Sequence, residues 1–211
     1  MTARAQLDTL MTICTHFTLE RRHVALYDPA FSRLDQEGLS ALGFNVQLTN
    51  KLGKYDLAIP ALLYMPHCSL KLQENFFRHN WVRAKLEKLL MISNDLALYA
   101  DSIAAHNLQV TFPCTARLLP HLHSRKLPRC HPLPEAFNDM SFQYVAPGTL
   151  PPDSASDFWD LEPELCLGVS SDVEAIISST PSGVVDATHP CRFFPRPEQR
   201  HVTGVRTGDS A

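Results

Sequence analysis

The sequence has little excess charge of either sign and no long apolar segment. Nineteen lysine and arginine residues stand against 22 aspartate and glutamate residues, a formal net charge of -3. No basic cluster stands out, so the charge pattern does not indicate a nucleic-acid or membrane surface. No apolar window approaches the roughly 20 residues that span a bilayer, and the start lacks the pattern of a secretory signal. We therefore expect a soluble protein of the cytoplasm, the nucleus or both, with no membrane association and no direct nucleic-acid binding.

Cofactor and metal signatures are also scarce. A Rossmann-type ribose contact needs a glycine-rich loop before its acidic residue, and no such loop precedes Asp28. The chain has no c-type heme attachment motif, and without a secretory signal its six cysteines are expected to be free thiols. One cysteine- and histidine-containing segment fits neither the Cys-x-x-Cys nor the His-x3-5-His spacing of zinc sites. We predict no metal site and leave the cofactor unknown. The residues of that segment are Cys114, His121, His123, Cys130 and His131.

Strand-like and helix-like apolar patterns alternate through the first half of the chain. With 45% apolar residues in 211, the chain is long enough to bury one substantial core. The alternation predicts βαβ units and an α/β fold, a Rossmann-like open, mainly parallel sheet with flanking helices. In the second helix, Leu34, Leu39 and Leu42 are expected to face inward. Predicted helices cover residues 2–17, 32–42, 70–79 and 96–105, and predicted strands cover 23–27, 44–48, 61–65 and 89–92.

The pattern loosens after Leu108, where prolines recur and interrupt any long element. Residues 135–144 fit either a short strand or an irregular packed segment. We expect residues 1–160 to form one domain and residues 161–211 a tail of low order, apart from a short element at 174–177. Phe76, Phe77 and Trp81 are expected to pack in the core rather than form a partner surface, and Trp159 to pack the end of the domain.

The stretch from Pro60 to Cys68 carries the strongest functional signal. A strand-length apolar run ends at Pro66, and His67 and Cys68 then form the turn before the next helix. Open α/β sheets bind ligands at the carboxyl ends of their strands. We therefore predict a ligand site at this edge, which we call the carboxyl edge. The candidate ligand-binding residues are Asp28, His67, Cys68, Asn80 and Asn94.

Each of these residues also has a structural interpretation. Asp28 can cap the next helix or hold the Pro29 turn. His67 and Cys68 would act as base and nucleophile only within hydrogen-bond reach of each other, with Asn80 or Asn94 orienting the imidazole. The alternative, that these side chains satisfy backbone groups of turns and caps, stays open. Catalytic residues are left unassigned.

Several short motifs, in order, resemble the "sensitivity to red light reduced" (SRR-like) domain family over about residues 2–160. Asn80-Trp81 falls where the family has the same pair, and residues 2–7 are similar to its first helix. The resemblance implies a regulatory protein without a defined catalytic activity. Family members are associated with light signalling and the circadian clock, with heme biosynthesis, and in a fungus with microtubule stability. The other motifs are Tyr27-Asp28-Pro29-Ala30-Phe31-Ser32, Leu63-Tyr64-Met65-Pro66-His67-Cys68, Ile92-Ser93-Asn94 and the fungal-type Phe137-Asn138-Asp139-Met140-Ser141.

The chain differs from the family at its N-terminal end. Members start with a strand and a glycine turn before the first helix, whereas Met1 here directly precedes that helix. In a sheet of order 3-2-1-4-5 the first strand is central, so the strands at Leu26 and Leu63 would lack the partner between them. Unpaired buried backbone groups cost about 1–3 kcal/mol each. We expect a sheet that lacks its N-terminal central strand, or one that a later segment such as residues 108–112 completes.

Two function classes follow. The first is a regulatory SRR-like protein that works through a protein partner or a bound small molecule, neither of which the sequence identifies. The alternative is an enzyme that binds a nucleotide or another phosphate-bearing ligand at the carboxyl edge. A phosphate site needs backbone amides at a helix N-terminus, and the turn before the first helix does not supply them here.

Overall fold

The computed structural model of the protein describes residues 2–129 and 133–162, and helices flank short strands along that part of the chain. Within it, no helix has both the length and the apolar character to cross a membrane. Short 3-10 turns lie at Arg21–His23, Leu119–His121 and Pro134–Ala136. The helices are α1 (Thr2–His16), α2 (Arg33–Ala41), α3 (Leu70–His79), α4 (Arg83–Leu86), α5 (Leu96–Ser102), α6 (Ala105–Thr111), α7 (Pro113–Leu118) and α8 (Ser156–Trp159).

The strands form two separate sheets. The smaller is the parallel pair β1 and β2, and the larger has the order β3-β4-β6-β5. β3 and β4 are parallel, whereas β6 runs antiparallel to both β4 and β5. The predicted α/β class is confirmed, with a mixed rather than mainly parallel larger sheet. The strands are β1 (Ala25–Leu26), β2 (Asn45–Val46), β3 (Ala61–Met65), β4 (Leu89–Asn94), β5 (Leu122–Lys126) and β6 (Met140–Val145).

Local signals explain where the helices begin. Ser32 caps α2, and its hydroxyl and the Asp35 carboxylate form a reciprocal capping box. The Ser69 hydroxyl accepts a hydrogen bond from the amide of Leu72 and caps α3. α7 begins at Pro113, where a missing amide proton costs nothing because the first turn has no intrahelical acceptor for it.

Helices cover both faces of the larger sheet. On one face, α3, α6 and α7 enclose the main core, which includes Phe77 and Met91. On the other face, Ile13 of α1 packs against Ile92 and Met140. Fully burying an apolar side chain of this size contributes about 1.5–3 kcal/mol. A separate cluster joins α1 and α2 to the smaller sheet: Leu7, Leu10, Cys14, Leu26, Phe31, Leu39 and Phe44.

The predicted burial of several side chains can be compared with their burial in the structure. Leu39 is fully buried as expected, but Leu34 is 76% exposed and Leu42 is 38% exposed, so the inward orientation of these two was wrong. α2 covers only the small two-stranded sheet, and one buried leucine fills that contact. Phe77 and Trp81 are buried as predicted.

After residue 105 the structure departs from the sequence prediction. Residues 108–112 belong to α6 and its C-cap rather than to a strand, so the suggestion that they complete the sheet was wrong. β5 was not predicted, because most of its side chains are exposed and give no apolar alternation. The open choice at 135–144 is resolved as strand β6 with a turn before it. The predicted tail element at 174–177 lies outside the described residues.

The two sheets are not joined by backbone pairing. β1 pairs with β2, and β3 is the terminal strand of the other sheet. Tyr64 of β3 nevertheless packs against the cluster around β1 and β2, and its hydroxyl donates a 3.0 Å hydrogen bond to the Gln6 carbonyl of α1. The expected missing central strand stays a prediction.

Candidate functional site

Two turns at the carboxyl edge bring His67 and Asn94 into the same region. β3 and β4 are parallel, and Met65 is the register partner of Ser93, so the residues that follow these positions leave the sheet side by side. His67 has a left-handed backbone conformation with φ of 54°. This conformation is uncommon for a residue other than glycine and occurs most often at turns and functional sites.

The side chains of the His67-Cys68 turn contact different backbone carbonyls. His67 Nε2 lies 3.1 Å from the carbonyl oxygen of Ala136, which also accepts a 3.3 Å hydrogen bond from Gln6 Nε2. Cys68 Sγ lies 3.8 Å from the Pro66 carbonyl oxygen. The ring nitrogen that contacts Ala136 is therefore directed toward the segment before β6 and not toward a nucleophile.

Two amide oxygens are buried at this edge without a hydrogen-bond donor among the described residues. They are Oδ1 of Asn94 and Oδ1 of Asn138. The backbone brings the two segments together, because the amide of Asp95 donates a 2.7 Å hydrogen bond to the carbonyl of Asp139, and Asn94 is the register partner of Met140. Buried polar atoms usually have a partner, so these two oxygens are acceptors that a donor from solvent or from a ligand would satisfy.

A cavity of about 420 Å³ adjoins this edge. Lys126 and Arg129 supply positive charge at its wall, and Glu135 and Asp139 supply negative charge. Asp139 also has a left-handed backbone, with φ of 57°. The wall combines these charged groups with the Leu127, Phe137 and Met140 side chains, the mixed apolar and polar lining that small-molecule sites have.

A buried polar network fixes the end of β4 at the carboxyl edge. The Gln143 amide nitrogen donates 3.0 Å hydrogen bonds to Ser93 Oγ and to the Asn94 carbonyl. Gln143 Oε1 accepts a 3.0 Å bond from the Leu96 amide, and Ser93 Oγ lies 3.3 Å from Gln73 Oε1. Satisfied networks of this kind rigidify the backbone that carries a site.

The side chain of Asp28 makes the turn contact that the structural interpretation described. It is 4% exposed, and its Oδ1 accepts a 2.8 Å hydrogen bond from the Ala30 amide. This bond holds the turn at Pro29 after β1. Asp28 thus belongs to the smaller sheet, whereas His67, Cys68 and Asn94 belong to the larger one.

Asn80 lies at the other end of α3 from the His67 turn. Its Nδ2 donates to the Tyr55 carbonyl at 2.8 Å and to the Phe76 carbonyl at 3.0 Å. Its Oδ1 accepts from the Leu57 amide at 3.1 Å and from Lys85 Nζ at 3.0 Å. The amide therefore joins α3 to the preceding loop, and the structure does not bring it to His67 or Asn94.

The segment weighed for zinc is dispersed where it is described. Cys114 is fully buried in α7, and burial, followed by the nearby Glu74 carboxylate, raises the pKa of its thiol. His121 contacts Phe158 edge-on, and His123 stacks on Tyr144. Across residues 2–129 and 133–162, no group of three or more potential ligands is arranged to hold a metal ion. Cys130 and His131 lie outside the described residues.

Sequence reasoning did not assign Asn138, Asp139 or Lys126 to the site. The Phe137-Asn138-Asp139 motif was the available signal, because the family resemblance singled it out. Its contact with the end of β4 depends on β6 lying antiparallel beside that strand. No periodic pattern in the sequence specifies that pairing.

The alternation of helices and strands, with the turns after β3 and β4 at one edge, defines an open α/β protein of loosely Rossmann-like type. The SRR1 domain model matches residues 1–144, and the chain belongs to the SRR1 domain family. It is similar to an SRR1-like protein of Mus musculus, 32% identical over 118 residues that make up 56% of this chain and 47% of that protein. An SRR1-like protein of Drosophila melanogaster is 25% identical over 138 residues, 65% of this chain and 48% of that protein. The chain thus spans about half the length of the curated relatives it matches, and no solved structure matches it.

Proposed function

We propose that this chain is a regulatory binding protein that holds a small polar ligand at the carboxyl edge without converting it. The ligand presents hydrogen-bond donors to Asn138, Glu135 and Asp139 and an anionic group to Lys126 and Arg129. The regulatory part of the proposal rests on the family resemblance, whose members are associated with clock, heme or microtubule regulation. We further propose that it acts in the cytoplasm, the nucleus or both.

The observation that carries the proposal is the buried Oδ1 of Asn138, a residue of the cavity wall, which no donor among the described residues reaches. Leaving a buried acceptor without a partner costs about 1–3 kcal/mol. The adjoining cavity of about 420 Å³ falls within the roughly 300–1,000 Å³ of small-molecule sites. A ligand donor would relieve the cost and add charge-assisted contacts.

The alternative function is an enzyme acting on a nucleotide or another phosphate-bearing ligand. Lys126 and Arg129 at the cavity wall supply positive charge for a phosphate group, and Glu135 and Asp139 supply negative charge beside it. The contact of His67 Nε2 with the Ala136 carbonyl engages one ring nitrogen of the candidate base, which favours binding over nucleophilic catalysis.

A thermal-shift screen of the wild-type chain against nucleotides, inorganic phosphate, heme and metal salts tests the proposal. A ligand at 100 times its Kd stabilises a protein by about 2.7 kcal/mol, and each kcal/mol raises Tm by about 2–4 °C for a chain of this size. We expect an anionic compound to raise Tm by this amount. Mass spectrometry of the same compound after incubation should find it unchanged, whereas conversion would favour the enzyme.

The variant Asn138→Ala separates binding from a structural role. Removing an acceptor that has no partner should leave the stability of the free protein nearly unchanged, while abolishing the ligand-induced shift. The matched control is Asn107→Ala, which changes an exposed asparagine of α6. A large loss of stability in Asn138→Ala, or an undiminished shift, would contradict the proposal.

A further inference from the structure

A short segment that follows the residues matched by the family model lies in a groove between α3 and α7. We call residues 155–162 the strap and define the groove by Arg78, Trp81, Arg117 and His121. The groove lies within the residues matched by the SRR1 domain model, and the strap lies beyond their end at residue 144. α3 begins at the carboxyl edge and, at 1.5 Å per residue, is about 15 Å long. The groove is therefore at the opposite end of α3 from the proposed ligand site.

The groove holds the strap mainly through backbone carbonyls. Arg117 Nη1 donates hydrogen bonds of 2.7 and 2.8 Å to the carbonyls of Phe158 and Asp160. Trp81 Nε1 donates a 3.1 Å bond to the Phe158 carbonyl, and Arg78 Nη1 donates a 2.7 Å bond to the Glu162 carbonyl. These contacts bind main-chain carbonyls at the end of α8 and just after it, and such contacts depend little on the side chains of the bound segment.

Adjacent aromatic rings of the strap supply the side-chain contacts. The Phe158 ring stacks on Trp81 with centroids 5.3 Å apart and an interplanar angle of 21°. Trp159 lies 5.6 Å from Trp81, and His121 contacts Phe158 edge-on at 5.4 Å. Aromatic pairs in such geometries are strong anchors in protein interfaces.

Charge and burial show that this contact has the character of an interface. The strap carries Asp157, Asp160 and Glu162, whereas the groove presents two arginines. Each residue of the strap stays at least partly exposed, although Phe158, Trp159 and Leu161 pack against the main core, where Trp81 is only 9% exposed. Because the strap is short and partly exposed, we expect it to open locally before the domain unfolds.

We propose that the groove is a docking site for a peptide of another protein, and that the strap occupies it as an exchangeable internal ligand. The partner peptide carries two adjacent aromatic residues flanked by acidic residues, as in Asp157-Phe158-Trp159-Asp160. The arginines bind its carbonyls, and Trp81 stacks on its first aromatic ring. Displacing the strap frees residues 155–162 from α3 and α7.

The test uses a fluorescently labelled peptide with the sequence of residues 152–162 and the full chain. Phe158→Ala/Trp159→Ala removes the anchors of the strap and leaves the groove intact. We expect the peptide to bind this double variant at least tenfold more tightly than the wild type, by fluorescence anisotropy. Adding Arg117→Ala should weaken that binding at least tenfold, and a peptide with both aromatics replaced by alanine should not bind.

A measurement on the wild-type chain avoids dependence on whether the variant folds. Excess unlabelled peptide should accelerate hydrogen exchange of strap amides, followed by mass spectrometry, and leave exchange in α3 unchanged. Unchanged strap exchange, or equal peptide binding by wild type and folded double variant, would overturn the proposal. So would a concentration-dependent dimer that requires Phe158, because the second copy would then be the occupant.

Discussion

The carboxylate of Glu74 offers the sharpest test of how this fold is held together. Glu74 is 1% exposed on α3, and it accepts three hydrogen bonds of 2.9 Å from the start of α7. The donors are the amide of Cys114 and both the amide and the hydroxyl of Thr115. A carboxylate in this position replaces an N-cap side chain and interacts favourably with the positive end of the helix.

Replacing Glu74 by alanine leaves these donors in a dry interior. Each unsatisfied buried donor costs about 1–3 kcal/mol, and the Thr115 hydroxyl can rotate toward another acceptor. The variant no longer buries a charge, and this offsets part of the cost. We therefore expect the free energy of unfolding to fall by about 3 kcal/mol. Glu74→Gln keeps one oxygen but points amide protons at a donor, so its expected loss is about 1–2 kcal/mol. In a double-mutant cycle, Glu74→Ala with Thr115→Val should show coupling of about 1 kcal/mol.

Urea denaturation followed by circular dichroism measures these differences, provided that the slope of free energy against urea stays constant. The matched control is Glu37→Ala, because Glu37 forms a 2.8 Å ion pair with Arg33 at a side chain that is 57% exposed. Exposed pairs contribute about 0–1 kcal/mol. If Glu74→Ala costs no more than Glu37→Ala, the buried cap does not stabilise the contact between α3 and α7.

Three further predictions concern single positions. Gly53→Ala should destabilise the protein by about 1–3 kcal/mol, because Gly53 has φ of +84° and an added Cβ would lie 2.5 Å from a backbone oxygen of α3; an unchanged urea midpoint would contradict this. Asn80→Ala should cost about 2–4 kcal/mol, since it removes four hydrogen bonds, whereas the exposed Asn107→Ala should be neutral in the same urea titration. Stability should fall as pH rises above about 8.5, because burial raises the pKa of the Cys114 thiol and the unfolded chain therefore ionises first. Urea titrations across that range should show a shallower decline in Cys114→Ala, and equal declines would refute the assignment.

Elements with strong local patterns were predicted most accurately. The bounds of β3 and α3 agree with the structure at both ends, because an apolar run, a proline turn and the Ser69 cap follow one another there. The predicted second helix was confirmed for the same reason, through its Ser32 cap. Prolines after residue 108 were interpreted as breaks, yet Pro113 opens α7, a position where proline is favoured.

The candidate site was predicted only in part. The turn at His67 and the end of β4 at Asn94 are adjacent in the structure, as parallel strands require. Asn80 bonds instead to the 55–57 loop, and Asp28 holds its own turn. Whether these residues bind a ligand stays a prediction, and the wall at Lys126 and Asn138 entered only with the tertiary structure.

The α/β class, the early helices and strands and the family could be predicted before any coordinates, because caps, prolines, apolar periods and short motifs act within a few residues. The antiparallel pairing of β6 with β4 and the capping of α7 by Glu74, 40 residues away, became visible with the folded structure. So did the contact of the strap with Trp81 across 77 residues of chain. Such contacts depend on which surfaces meet when the chain folds. Because the contacting residues are far apart in sequence, no local apolar periodicity predicts them.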